Sequence, residues 1–414
     1  MVWSRRYGLL GSLFCAFLLC YLDRMAMATA IPFIAQDFHL SSVAMGSVLS
    51  AFFVGYAIMQ IPGGLLTDRF GPRPVIIVSM VLWSIFTAMT GTATSLASML
   101  AIRVVFGLCE GPFPPSASKA ITISFPTCEL GRANGIQLAA VNIGAAVAPI
   151  VVASLIVNWG WRVVFYSLLP PGLLLALVIG FAFSGAGSRF NAEDRQGNGA
   201  DEKIRLNQLL QSPALLWCSL TLFLANIATW GLLNWLPTYL LQARGFGTAK
   251  MGMLAPLPYI AGAIGYYAGG HLSDRYFANR RQIPVLLGLI LAGGMTCIAA
   301  LAPSGEWAIA ALVPGFLCLF VASAGLFTLP LVISPPAAVG GAFGIVNTVG
   351  QTAAFLSPLL VGYVLDVTNR NFTVVFYGLV CLCVASAGTA SRIRQPADAT
   401  LRNQSSADGV LVRR

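Results

Sequence analysis

Twelve apolar stretches, each long enough to cross a lipid bilayer, constrain this chain more than any other feature of its sequence. They run roughly over 7–33, 43–66, 74–93, 96–124, 133–157, 163–184, 213–241, 250–272, 282–302, 307–333, 339–364 and 372–390. About 20 apolar residues suffice for a helix to span a hydrocarbon core of about 30 Å. Inside lipid every backbone N–H and C=O must be satisfied by the protein itself, so continuous apolar runs become helices. The runs are unbroken rather than alternating, which argues against a membrane barrel. Charged residues make up only 9% of the 414 positions and apolar ones 57%, against about 25% charged in soluble domains. A water-soluble fold of this size could not solvate its surface with so few charges. The expected fold class is therefore an all-α polytopic membrane protein of twelve transmembrane helices, with the lipid bilayer as its solvent.

Four parts follow from polarity along the chain. Residues 1–188 and 213–391 each carry six apolar stretches, and the polar segment 189–212 separates them as a central loop. Residues 392–414 form a polar tail without periodicity, expected to be disordered. Basic residues are distributed unequally across the connectors. With the N-terminus placed inside, seventeen fall on the cytoplasmic side and four outside, while Arg24, Arg103 and Lys119 lie within helices. The positive-inside rule then puts both termini and the central loop in the cytoplasm. It also accounts for the net charge of +10 without nucleic acid. Short outer loops point to a bacterial plasma (inner) membrane.

The cysteines lie almost entirely inside apolar stretches, without a CxxC pair, and read as small buried hydrophobes. Neither a disulfide framework nor a metal site is indicated, and no cofactor is expected. The first stretch is too long for a cleaved signal peptide and carries Asp23-Arg24 within it.

The two halves echo each other. Gly64-Leu-Leu-Thr-Asp68-Arg69 follows the second stretch, and Gly270-His-Leu-Ser-Asp274-Arg275 follows the eighth, 206 residues further on. Asn142 precedes Pro149 by seven residues, and Gln351 precedes Pro358 by the same interval, at an offset of 209. Two parallel six-helix repeats suggest a rocking carrier with its site between the halves.

The segment Gly64-Leu-Leu-Thr-Asp68-Arg69-Phe-Gly71-Pro-Arg73 resembles the cytoplasmic signature of the major facilitator superfamily, with Pro72 where that family usually carries a base. The resemblance implies a conformational latch built from Gly64, Asp68, Arg69, Gly71 and Arg73, with Gly270, Asp274 and Arg275 as the second copy. Glycine would let helix ends approach, and Asp68 would cap a neighbouring helix and pair with arginine. Four further segments resemble the anion:cation symporter branch of that superfamily. They are Cys20-Tyr-Leu-Asp23-Arg24, Gln60-Ile-Pro-Gly-Gly64, Arg103-Val-Val-Phe-Gly107-Leu-Cys-Glu110-Gly111 and Asn234-Trp-Leu-Pro-Thr-Tyr239. Pro112, Pro114 and Pro115 make the second half of the fourth stretch unusually proline-rich for that branch.

Only Asp23 and Glu110 among the acidic residues, and Arg24 and Arg103 among the basic ones, lie deep within apolar helices. Ionisable groups there cost several kcal/mol unless paired or hydrated, and so face an internal cavity. Arg103 and Glu110 stand seven residues apart on one helix face; Asp23 and Arg24 point to different sides. The resemblance implies that Arg24 contacts an anionic substrate, with Arg103 assisting it or pairing with Glu110. Asp23 and Glu110 would carry protons, since each can trade its charge for a proton. Asn142, Trp230, Asn234, Tyr239 and Gln351 are candidate substrate contacts from the other helices. Static ion pairs tying the first and fourth helices together are the plainer reading of the same four charges. The expected function is proton-coupled symport of a small organic anion, such as a sugar acid, by a monomer that is not an enzyme. Export of an anionic natural product or siderophore stays open as an alternative, and a non-transporting membrane receptor as a third.

Overall fold

The computed structural model describes residues 2–125, 129–184, 211–277, 280–334 and 339–393, and the regular structure of these residues is entirely helical. The expected loop at 189–212 and tail at 392–414 lie outside the described residues, apart from 211–212 and 392–393. In chain order the helices are α1 (Val2–Phe38), α2 (Ser42–Phe70), α3 (Pro72–Thr90), α4 (Leu96–Glu110), α5 (Phe113–Ser124), α6 (Leu130–Trp159), α7 (Trp161–Ser167) and α8 (Leu169–Ser184). They continue as α9 (Pro213–Thr238), a π-helical turn over Tyr239–Ala243, α10 (Thr248–Leu254), α11 (Pro256–Arg275), α12 (Gln282–Leu301), α13 (Gly305–Ile333), α14 (Val339–Val367) and α15 (Phe372–Ala390).

Eleven of the twelve expected spans are long and apolar enough to cross a membrane. The remaining one, expected over 250–272, is broken at Ala255 into α10 and α11, and α11 carries four glycines together with His271, Asp274 and Arg275. The span expected over 96–124 is also divided, at Gly111-Pro112. Proline has no N–H, so Pro112 and Pro114 leave the carbonyls of Leu108 and Glu110 without their usual helical partners. Backbone angles at Gly111 and Pro112 stay in the right-handed helical region, so α4 and α5 still read as one span, Leu96–Ser124.

Two compact units emerge, and they do not follow the sequence halves. The described residues of the first fall within Met1–Gly199, Leu233–Ile260 and Pro358–Asn371, and those of the second within Ala200–Leu232, Ala261–Ser357 and Phe372–Arg414. In the first unit α1 packs on α6 and α8, α2 on α4, and α3 on α4 and α8. The α2–α4 contact is made by backbones. A Cβ on Gly55 would lie 2.0 Å from the Val104 carbonyl oxygen, and one on Gly107 would lie 2.1 Å from that of Phe52. Close packing of this kind is how membrane helices associate where lipid removes the hydrophobic drive.

The end of α14 joins this unit alongside the start of α2. A Cβ on Gly362 would meet the Ser42 carbonyl oxygen at 2.4 Å, and one on Gly46 would meet that of Pro358 at 2.4 Å. Asp366 accepts from the backbone N–H groups of Ser42 at 2.7 Å and Val43 at 2.9 Å, satisfying two of the donors that a helix N-terminus leaves open. In the second unit α12 packs on α13 and α15.

Candidate functional site

Four ionisable side chains are buried together in the first unit: Asp23, Arg24, Arg103 and Glu110. Two come from α1 and two from α4. Glu110 ends α4 where the prolines interrupt it, so its side chain projects from a helix terminus at mid-span. Its Oε1 accepts from Arg24 Nε at 2.8 Å, from Arg24 Nη2, and from the Cys20 thiol at 3.2 Å. The Arg24 guanidinium is surrounded by rings, its Cζ lying 4.8 Å from the centroid of Tyr21, 4.6 Å from Phe52 and 4.5 Å from Tyr56. Aromatic faces are attractive to a cation that has left water, and they replace part of its lost hydration.

Asp23 and Arg103 make no direct ion pair with each other among the described residues. Asp23 Oδ2 accepts from the Thr87 hydroxyl at 3.4 Å. Arg103 lies over the rings of Phe106 and Phe165, with centroids at 5.1 and 5.6 Å, and interacts electrostatically with both Asp23 and Glu110. Asp23 Oδ1, Glu110 Oε2 and Arg103 Nε are buried with no hydrogen-bond partner among the described residues. A buried polar atom left unpaired costs about 1–3 kcal/mol. Three such atoms within one charge cluster are valences that a ligand or a proton can take up. Fully ionised, the quartet sums to zero charge; each added proton leaves one positive charge for an anion to neutralise.

Glu110 is hydrogen-bonded to Arg24 from the neighbouring helix rather than to Arg103 on its own. The resemblance left Arg103 either assisting the substrate or pairing with Glu110; the cross-helix guanidinium reaches the carboxylate with two donors. Cys20, read from the sequence as a small hydrophobe, is a hydrogen-bond donor to Glu110. Thr87 and the ring set Tyr21, Phe52 and Tyr56 were not visible as site residues, because each type is common in membrane helices.

The remaining expected contacts are dispersed. Asn142 is half-buried on α6; Asn234 and Tyr239 are buried in the first unit. Tyr239 accepts through its hydroxyl from Arg244 Nε at 2.6 Å, which holds it at the end of its span. Trp230 and Gln351 belong to the second unit and are half-buried there. Between Trp230 and Tyr239, Pro237 lies inside α9 and cannot donate to the Leu233 carbonyl. The Tyr259 hydroxyl donates to that carbonyl at 2.9 Å instead, and a π-helical turn follows from Tyr239.

The expected latch residues also find places, with one correction. Open space surrounds Gly64 and Gly270; the close approaches are made by the glycine before each. A Cβ on Gly63 would meet Pro112 Cα at 2.5 Å, and one on Gly269 would meet the Val321 carbonyl oxygen at 2.6 Å. The helix face turns about 100° per residue, so only one of two adjacent glycines can look at the neighbour. Asp68 pairs with Lys119 Nζ at 2.9 Å, because α5 carries that lysine alongside the end of α2. Gly71 has φ +83°, a conformation that favours glycine, and it forms the turn from α2 into α3. Arg69 lies over Phe70, Arg275 over Tyr276, and Arg73 Nη2 donates to the Gly180 carbonyl at 2.9 Å. The Asp274 side chain lies outside the described residues. No group of three or more His, Cys, Asp or Glu among the described residues is arranged to hold a metal ion.

Comparison with known proteins adds an independent line. The family model described as Major Facilitator Superfamily matches residues 13–358. The "Probable sulfoacetate transporter SauU" of Cupriavidus necator is 32% identical over 380 residues, covering 88% of each chain. The "Hexuronate transporter" of Bacillus subtilis is 28% identical, covering 86% of this chain and 87% of its own. The "Probable galactarate/D-glucarate transporter GarP" of Escherichia coli is 30% identical over 414 residues, with 91% and 92% covered. Among solved structures, a bacterial homologue of the human lysosomal transporter Spinster, inward-facing and unoccupied, superposes with a TM-score of 0.78. It is 20% identical and covers 95% of this chain and 99% of its own, a likeness of fold.

Proposed function

The chain belongs to the major facilitator superfamily and is a multi-pass secondary transporter, and we propose that it moves a small organic anion together with protons. The observation that carries this reading is the buried Arg24–Glu110 pair, with Glu110 Oε2, Asp23 Oδ1 and Arg103 Nε in the same cluster and without a hydrogen-bond partner among the described residues. While Glu110 is ionised it occupies Arg24. A proton on Glu110 removes the charge that holds the guanidinium, and a carboxylate or sulfonate from the cargo takes its place on a fork suited to planar anions. Loss of the proton restores the internal pair and expels the anion. Asp23 and Arg103 add a second acid and a second guanidinium to the same charge balance. Cargo and proton thus share one charge balance, which is the condition for coupling them during alternating access.

Sulfoacetate, hexuronate, galactarate and glucarate, the anions in the relatives' names, all carry a carboxylate or sulfonate. For this chain we infer a cargo of that class, with Asn142 and Asn234 offering neutral hydrogen-bonding groups. The signature segments at Gly64–Arg73 and Gly270–Arg275 act as the conformational latch, Asp68 through its pair with Lys119. The termini lie in the cytoplasm by the distribution of basic residues.

Uptake of labelled hexuronate, galactarate, glucarate and sulfoacetate into proteoliposomes tests the proposal. At least one should accumulate above equilibrium only when the outside is more acidic than the lumen. Equal uptake with and without the gradient, or binding without accumulation, would refute proton coupling.

A further inference from the structure

On the outer face of the first unit, α3 and α8 touch at one level and part at another. A Cβ on Gly172 would fall 2.0 Å from Ser84 Oγ, whereas about two turns away one on Gly180 would meet only Ile77 Cδ1, at 3.6 Å. The helices therefore diverge toward the start of α3, leaving a wedge of about 510 Å³. Its walls are apolar, formed by Ile77 and Val81 on α3 and by Leu173, Leu177 and Phe181 on α8. Leu177 and Phe181 are 61% and 78% exposed, and on a membrane span such a surface meets lipid tails. Arg73 closes the wide end, bridging the two helices through its bond to the Gly180 carbonyl.

We propose that this wedge is a binding site for one anionic phospholipid, with an acyl chain between α3 and α8 and the phosphate on Arg73. Charge selects the occupant. Arginine matches phosphate as a planar fork, and the first turn of α3, where Arg73 sits, adds the positive end of a helix dipole. Basic pockets between membrane helices on the cytoplasmic side are a recurrent way of holding anionic headgroups, and the connector bearing Arg73 is the one expected to be cytoplasmic. Depth agrees with a tail rather than a headgroup alone. From Arg73 to Val81 the groove runs about 12 Å at 1.5 Å per residue, with side chains that give a water-soluble anion nothing to bind. The bond from Arg73 to Gly180 fixes the guanidinium at the mouth, so tail and headgroup are engaged by one rigid edge.

Native mass spectrometry of the purified full chain tests this. The probes are phosphatidylglycerol, phosphatidylcholine with the same acyl chains, and glycerol 3-phosphate. Phosphatidylglycerol should form a one-lipid adduct at least fivefold tighter than phosphatidylcholine, and glycerol 3-phosphate should form none. Arg73→Gln should erase the preference between the two lipids, and Gly180→Leu, which fills the wedge, should weaken both. Thermal melts and gel filtration establish that each variant is folded; if Gly180→Leu does not fold, Arg73→Gln decides alone. Equal affinity for the two lipids, a preference that survives in Arg73→Gln, or binding of glycerol 3-phosphate as tight as the lipid would each overturn the proposal.

Discussion

Arg24 exchanges its shell of water for one carboxylate oxygen, shared by two of its donors, and three aromatic faces. That arrangement uses both properties that separate arginine from lysine, the planar fork and the stacking face. Arg24→Lys keeps the charge but loses both, so substrate affinity should fall at least tenfold, about 1.4 kcal/mol. Binding isotherms on the purified variant check this, and an unchanged dissociation constant would mean that Arg24 does not touch the cargo. The four charges themselves could be found in the sequence because charge is rare in apolar helices. Their pairing could not. Spacing along α4 brings Arg103 and Glu110 onto one face, yet the carboxylate is taken by a guanidinium from α1, and only the packing of α1 against its neighbours decides that. Cys20 went unrecognised because a thiol in an apolar stretch has no distinguishing mark until an acceptor stands opposite it.

Prolines within spans leave groups that the helix itself does not satisfy. Glu110 stands at the proline interruption between α4 and α5. On the other side of the sequence, Pro237 frees the Leu233 carbonyl, which Tyr259 then satisfies. Tyr259→Phe removes that donor without changing the ring, leaving a buried carbonyl unpaired at a cost of about 1–3 kcal/mol. The melting temperature of the variant should drop by a few degrees; a melt superimposable on the parent would show that the carbonyl finds another partner. Element boundaries were legible from apolar runs, and the repeat at an offset of 206 located the equivalent glycines to within one residue. The choice between Gly63 and Gly64, or Gly269 and Gly270, depends on which way each helix face turns. Adjacent glycines carry no sign of that. The capping of α2 by Asp366 was equally hidden, since its partners lie more than 320 residues away in the chain.

At the scale of the molecule, composition and the apolar runs were enough to imply twelve membrane spans, because a bilayer permits few other solutions for such a sequence, and the internal repeat pointed to a carrier. What a chain of this plan carries depends on the small set of polar groups that lipid makes expensive, and here those groups form one interacting cluster from α1 and α4. Coupling as proposed depends on Glu110 exchanging a proton for its grip on Arg24. Proteoliposomes bearing Glu110→Gln, loaded with unlabelled substrate or with buffer alone, test that claim most directly. Glutamine mimics the protonated acid, so counterflow exchange of labelled substrate should persist while accumulation driven by an inward proton gradient is lost. Gradient-driven accumulation at the parent level in Glu110→Gln would contradict it.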